Sequence, residues 1–342
     1  MTTLTFKPKQ VTKKLLDVLP ERARDVLIKR YGLGKDTKKK TLEAIGQTYG
    51  ITRERVRQIE EYALSNIRKS DEFQKESPIF SELQDVIEFL GGVVSEKEVL
   101  DEISKNEGIQ NHTHFLFVLG DAFLKIKENK EYVARWSVDK KLSDEIEKSI
   151  KMLYENLNDD DIVPESEMID SFLNHLKDVS DHYKEEQILR RWLKMSKKVS
   201  SNPLGEWGRS DSPNINVKGM RDYAFLVIRQ HGSPIHFKEV AEQITKIFKK
   251  QAHVATCHNE LIKDPRFVLV GRGLYALKEW GYISGVVRDV INEIIEKNGA
   301  LTKDQIIDKV LKERYVKENT IMVNLQNPKF FNKDPKGRYS VV

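Results

Sequence analysis

The chain of 342 residues contains a single cysteine, Cys257. That rules out an internal disulfide and fits a reducing cytoplasm. No apolar run approaches the length needed to cross a bilayer, so no membrane segment is expected. The opening MTTLTFKPKQ has no apolar core of the kind a secretory signal carries. Catalytic signatures are missing too: there is no nucleophile elbow, no kinase set and no Walker loop. The expectation is a soluble, cytoplasmic protein that is not an enzyme and carries no cofactor or metal.

Hydrophobic residues make up 39% of the chain and charged residues 32%, and the formal net charge is only +5. The charge is unevenly spread. Residues 1–70 hold 17 Lys/Arg against 8 Asp/Glu, net +9; residues 71–170 hold 11 against 25, net −14; the remainder is net +10. Two basic ends suit contact with a polyanion. The acidic middle would be repelled by DNA and suits protein contact or spacing.

The most informative stretch runs from Thr41 to Lys69, TLEAIGQTYGITRERVRQIEEYALSNIRK. Thr41 is a good N-cap, and Leu42, Ile45 and Tyr49 follow at helical spacing. Gly50 tolerates the positive φ that a tight turn needs. A second helix starts behind Thr52, with Glu54 in the first turn, where the helix dipole favours a carboxylate. Val56, Ile59, Ala63, Leu64 and Ile67 form its apolar stripe. Two short helices joined by a tight turn make a helix-turn-helix.

Arg53, Glu54, Arg57 and Gln58 point away from that stripe, and Arg55 lies to one side. The N-terminal residues of a helix in the major groove reach base edges. Arg pairs with guanine, Gln with adenine, and Glu accepts from cytosine. Thr41, Thr52, Arg53, Glu54, Arg55, Arg57 and Gln58 are therefore candidate DNA-binding residues, with double-stranded DNA as partner. Lys38, Lys39 and Lys40 precede the first cap and suit phosphates equally well as a solvated loop.

Thr41–Lys69 resembles region 4 of the sigma-70 family of bacterial RNA polymerase specificity factors, and Leu15–Leu33 resembles the first half of that region. The resemblance implies that Arg53, Glu54, Arg57 and Gln58 read the promoter −35 element and that Arg55 lies near the phosphate backbone. It also implies RNA polymerase as partner, through the flap of its β subunit. The further regions of a complete sigma factor, for the −10 element and the polymerase clamp, do not stand out in this chain.

Residues 1–12 read as a loose arm and Asp71–Pro78 as a polar linker. Beyond the linker a weak repeat emerges: three helical stretches, then a short hairpin carrying aromatics. The hairpins run Phe123–Trp136, Trp192–Trp207, Phe267–Leu277 and from Phe330 through Tyr339. This spacing argues for an array of similar modules, and the plan is that of a winged helix. The expected fold class is mainly α with small β-hairpin wings, as a multi-domain array. Its modules are 1–70, 79–138, 143–212, 219–282 and 285–342. Asn202–Asn216 reads as the second wing with a linker.

The third module contains Ser233-Pro234-Ile235-His236, Glu239-Val240-Ala241, Asp264-Pro265-Arg266-Phe267, Gly271-Arg272-Gly273, Tyr275 and Trp280. These resemble a HARE-type helix-turn-helix, the class found in the RNA polymerase delta subunit. Gly271-x-Gly273 connects two strands with no helix behind it, so it reads as a wing turn and not as a phosphate loop. Arg272 at its tip is a further candidate DNA contact.

Three other groupings carry no site. His253, Cys257 and His258 sit on one helix without a distant fourth ligand. His112 and His114 precede an apolar run, and Asp159-Asp160-Asp161 lacks EF-hand spacing. The sequence therefore points to a transcription factor that recognises promoter-like DNA, nucleoid-associated and in contact with RNA polymerase. A delta-like polymerase subunit, or a DNA-binding accessory of a restriction/modification system, fits the same residues.

Overall fold

The computed structural model describes residues 4–176 and 179–342. It is mainly helical, with small antiparallel sheets. The chain divides into two compact units: residues 1–200 with 207–210, and residues 201–206 with 211–342.

The first unit begins with α1 (Pro8–Asp17), α2 (Glu21–Tyr31), α3 (Leu42–Tyr49) and α4 (Arg53–Arg68). Pro8 opens α1, where its missing N–H costs nothing. Gly32 closes α2 in the left-handed conformation, φ 65°. The expected loose arm is partly helical: Val11 and Thr12 are buried, because α1 needs one apolar face against the core. Residues 1–3 of that arm lie outside the described residues.

The stretch read as a linker is also helical. Ser70 caps α5 (Asp71–Lys75), and α6 (Ser77–Phe89) follows at once. The polar composition concealed Phe73, whose ring packs 4.9 Å from that of Phe80. Next come β1 (Val93–Ser95), α7 (Glu96–Ile103), α8 (Glu107–Leu119), β2 (Leu124–Ile126) and β3 (Arg135–Ser137). One core runs from Val11 and Leu15 through Ile67, Leu83 and Phe117 to Trp136. Residues 8–68 and 79–137 are therefore packed as one body.

The second core of this unit lies under α9 (Lys140–Asn156), α10 (Glu165–His175), α11 (Glu186–Leu193), β4 (Val199–Ser201) and β5 (Trp207–Arg209). Trp192, read as the start of a hairpin, lies in α11 instead. Its indole is fully buried and donates to the Val93 carbonyl at 3.1 Å, and the strand starts seven residues later. The expected wing-plus-linker at 202–216 contains β5, and Asn202, Asn214 and Ile215 within it are buried.

The second unit contains α12 (Met220–His231), β6 (Ile235–His236), α13 (Phe237–Phe248), α14 (Val254–Lys263), β7 (Phe267–Leu269) and β8 (Leu274–Leu277). It ends with α15 (Val287–Asn298), β9 (Leu301–Thr302), α16 (Lys303–Glu313), α17 (Glu318–Leu325), β10 (Phe331–Lys333) and β11 (Arg338–Val341).

Three stretches of the molecule share one order: helix, short strand, helix, helix, two strands. In each three-stranded sheet the last strand lies between the other two, as in β1-β3-β2, β6-β8-β7 and β9-β11-β10. The α9–β5 stretch keeps the order with its first strand reduced to a single bridge between Val163 and Trp207. The hairpin aromatics Trp136, Trp207, Phe267, Tyr275, Phe331 and Tyr339 face their cores. In the second unit the β7–β8 hairpin is held by the buried Arg314, which donates to the carbonyls of Leu269, Ile283 and Gly285.

Candidate nucleic-acid interface

Helices α3 and α4 meet as the cap residues dictate. Thr41 Oγ1 accepts from Ala44 N at 3.2 Å, and Thr52 Oγ1 accepts from Arg55 N at 3.2 Å. Gly50 turns the chain at φ 65°. Gly46 is the tighter constraint: a Cβ there would lie 2.6 Å from the carbonyl oxygen of Ile51. Val26, Ile45 and Val56 meet beneath the turn with no exposed surface. These contacts fix α4 relative to α2 and α3.

With Val56 pinned inward, the first two turns of α4 present Arg53, Glu54, Arg55, Arg57 and Gln58 to solvent. The structure brings all five onto the outer side of one helix, as the spacing requires. Arg57 donates from Nε and Nη2 to the Glu54 carboxylate at 2.9 and 2.6 Å, and from Nη1 to Glu61. The hydrogen bond from Arg57 is the main reason that Glu54 sits below the usual carboxylate range. Arg55 Nη1 donates to Gln58 Oε1 at 3.0 Å. Arg53 forms no ion pair among the described residues.

A duplex would have to exchange these contacts for its own. The exchange is inexpensive, because exposed ion pairs are worth at most about 1 kcal/mol. Thr41 and Thr52 are exposed, but their hydroxyls are engaged as caps. Lys38 and Lys39 are exposed just before Thr41, while the Lys40 N–H donates to the Lys29 carbonyl at 2.9 Å. Arg272 belongs to the second unit. It is exposed at the β7–β8 turn, where Gly273 has φ 75°.

Sequence reasoning missed two features beside this face. Pro20, Arg22, Ala23, Arg55, Gln58, Ile59 and Tyr62 line a shallow concavity of about 370 Å³. Tyr62 is 57% exposed. It lies four residues beyond Gln58, so helical spacing alone could have found it. Tyr49, at helical spacing with Leu42 and Ile45, is only half-buried. Arg22 and Lys29 stand 5.4 and 4.7 Å from its ring centre, and its hydroxyl is bonded to Asp25.

The other groupings are structural. Cys257 is buried, and burial pushes its thiol up to about 11. His253 is exposed before α14, and His258 stacks on Phe237 at 4.1 Å, so the trio does not converge. Asp159 pairs with Arg209 at 2.7 Å, and Asp161 accepts from Asn158 N at 2.8 Å. No group of His, Cys, Asp and Glu among the described residues could hold a metal ion. No helix of the described residues is long and apolar enough to cross a membrane.

His114 is buried in a polar cluster that the sequence did not reveal. Its Nε2 lies 2.9 Å from Lys125 Nζ and 3.4 Å from Glu96 Oε2. Burial pushes His114 below its usual value, against the pull of Glu96. For Glu96 burial acts upward, but His114 and Lys125 outweigh it and hold the carboxyl at about 2.

Residues 15–69 match the family model described as Sigma-70, region 4. A stretch of 56 residues is 57% identical to the RNA polymerase sigma factor SigA of Nostoc sp., covering 16% of this chain and 14% of that protein. The corresponding figure is 55% over 56 residues for SigA of Microcystis aeruginosa and 47% over 60 residues for SigA of a Bacillus species. The chain spans only 13–16% of the length of these relatives. The matched residues 15–69 include α2, α3 and α4.

Proposed function

We propose that this chain is a transcription factor that reads promoter-like duplex DNA through the first two turns of α4 and works in contact with bacterial RNA polymerase. One observation carries the reading: Arg53, Glu54, Arg57 and Gln58 stand exposed on a capped helix-turn-helix inside the stretch that matches sigma-70 region 4. Arg57 and Gln58 supply donors for guanine and adenine, Glu54 an acceptor for cytosine, and Arg55 with Lys38 and Lys39 cations for phosphates. The relatives are RNA polymerase sigma factors, which makes RNA polymerase the natural partner, with the β flap as the docking element. The match covers a sixth or less of those sigma factors, so what is carried over from them is the DNA-reading and polymerase-docking part alone.

The four repeats at 79–138, 143–212, 219–282 and 285–342 are winged-helix modules in this reading, the third of HARE type. Their shared strand order and buried hairpin aromatics support it. The acidic stretch 71–170 favours a protein-facing role for the first two modules, as in a polymerase-associated subunit. The chain belongs at the nucleoid and needs no catalytic group.

The test is selection of bound sites from random duplexes by the full chain. Arg57→Ala or Gln58→Ala should relax the preference at one or two positions and weaken the cognate site roughly ten- to a hundredfold. Unchanged preference in both variants would sink the reading. A pull-down with the isolated β flap tests the partner. It requires residues 1–138 or more, because the core of α1–α4 is completed by α6 and α8.

A further inference from the structure

The four repeats have used their outer elements differently. In the first, α8 is buried from Asn111 to Phe117, and the hairpin loop alternates Lys127, Glu128, Lys130 and Glu131, with no net charge. In the second, Arg190 of α11 is held by Glu165 and Glu186, Arg191 by Glu98, and the hairpin turn 202–206 carries no cation. In the third, the hairpin is clamped from the side: Tyr315 N donates to the Val270 carbonyl at 2.7 Å, and Arg314 holds Leu269.

The fourth repeat is spent on nothing comparable. Helix α17 exposes Asn319, Thr320 and Val323, the last at 61%. Lys317 precedes it and Lys329 follows it. The β10–β11 hairpin adds Lys333, Lys336 and Arg338, all exposed. Only Arg338 is neutralised, by Asp334 at 2.9 Å. The four lysines form no ion pair among the described residues, and Lys333 lies over the ring of Tyr339 at 5.6 Å. Residues 316–342 hold five Lys/Arg against two Asp/Glu.

We propose that α17 and the β10–β11 hairpin form a second contact with duplex DNA, directed mainly at the phosphate backbone. Free lysines on both sides of a helix supply the cations that release counterions from a duplex. Asn319 and Thr320 offer neutral donors and acceptors, and Val323 an apolar contact of the kind a thymine methyl accepts. An acidic protein would be met by the same lysines, but it gives no reason for an exposed Asn-Thr-Val face between them. The contact acts in addition to α4 and does not depend on what α4 reads.

The experiment is fluorescence anisotropy of the full chain on a random-sequence duplex across a salt series. Lys329→Ala/Lys333→Ala/Lys336→Ala should flatten the plot of log affinity against log salt by roughly 0.9 for each phosphate that is no longer neutralised. Affinity at low salt should drop at least tenfold, while the preference set by α4 stays. These lysines are exposed, and a circular dichroism spectrum identical to that of the parent confirms that the fold is kept. An unchanged slope and affinity would overturn the proposal, as would unchanged DNA binding with loss of an acidic protein partner. Arg57→Ala in parallel separates the two surfaces: it should relax preference at the position Arg57 reads and leave most of the slope contributed by the lysines.

Discussion

Helices α4 and α8 belong to the same core and meet water in opposite ways. Both follow a capping residue, Thr52 in one case and Asn106 in the other, and both carry polar residues in their first half. In α4 those residues remain outside. In α8 the polar Asn111, His112, Thr113 and His114 are buried, because α1 and α2 lie across them. Asn111 Nδ2 donates to the carbonyls of Gly32 and Thr37 at 3.2 and 2.8 Å, so it completes the end of α2. Arg68 of α4 closes the other side by donating to the Val118 and Leu119 carbonyls at 2.8 and 3.0 Å. A helix is free to read a ligand when nothing in its own chain needs its polar face. Here α8 supports α1 and α2, and α2 in turn carries α4.

The hardest test of this pairing is Val56→Asp. It places an unpaired carboxylate among Val26 and Ile45 and should cost about 4 kcal/mol or more. Because one core runs from Val11 to Trp136, thermal unfolding should lose α1–α4 and α6–α8 together. Two separate transitions would break the claim of a single body. Gly46→Ala should cost about 3 kcal/mol, since the Ile51 carbonyl is backbone and cannot step aside. DNA binding should weaken with it; denaturant titration beside a binding assay would show both.

Acid should probe the buried cluster on the α8 side. His114 and Glu96 both have lowered values in the fold, so the stability each supplies is present above its unfolded value. His114 begins to lose its share as the pH falls below about 6.5, and Glu96 loses its own between about 4.5 and 2. Glu96→Gln should destabilise the unit by about 2 kcal/mol at pH 7 and flatten the acid limb of its stability curve. The same acid limb in the variant would remove the cluster's role.

The smallest effect belongs to the α4 surface. Glu61→Gln frees Arg57 from one carboxylate and removes a negative charge beside the proposed DNA-reading residues. Affinity should rise by about two- to threefold, without loss of stability. A decrease would mean that the Glu61 contact orients Arg57 for reading.

The helix ends and the turn of the α3–turn–α4 stretch were legible in the sequence, because their determinants are local. Thr41, Gly50 and Thr52 set the ends of two helices, and the apolar period set which face turns inward. The third and fourth hairpins were also placed by alternation and turn residues. The linker at 71–78 failed for a physical reason: composition counts the charges of Asp71, Glu72 and Lys75, whereas Phe73 needs only one apolar neighbour to fix the helix. Trp192 failed likewise, since its partner carbonyl belongs to Val93, 99 residues earlier.

Local chemistry thus determined the helices, their caps and the charge on each face. Tertiary structure decided which faces stay exposed, because burial depends on what distant segments lay against them. Asn111 and Asn319 are the same side chain on corresponding helices of two repeats. The first is closed off beneath α1 and α2 with its amide consumed by two carbonyls, while the second stands in water, and no count of neighbouring residues in the chain distinguishes them.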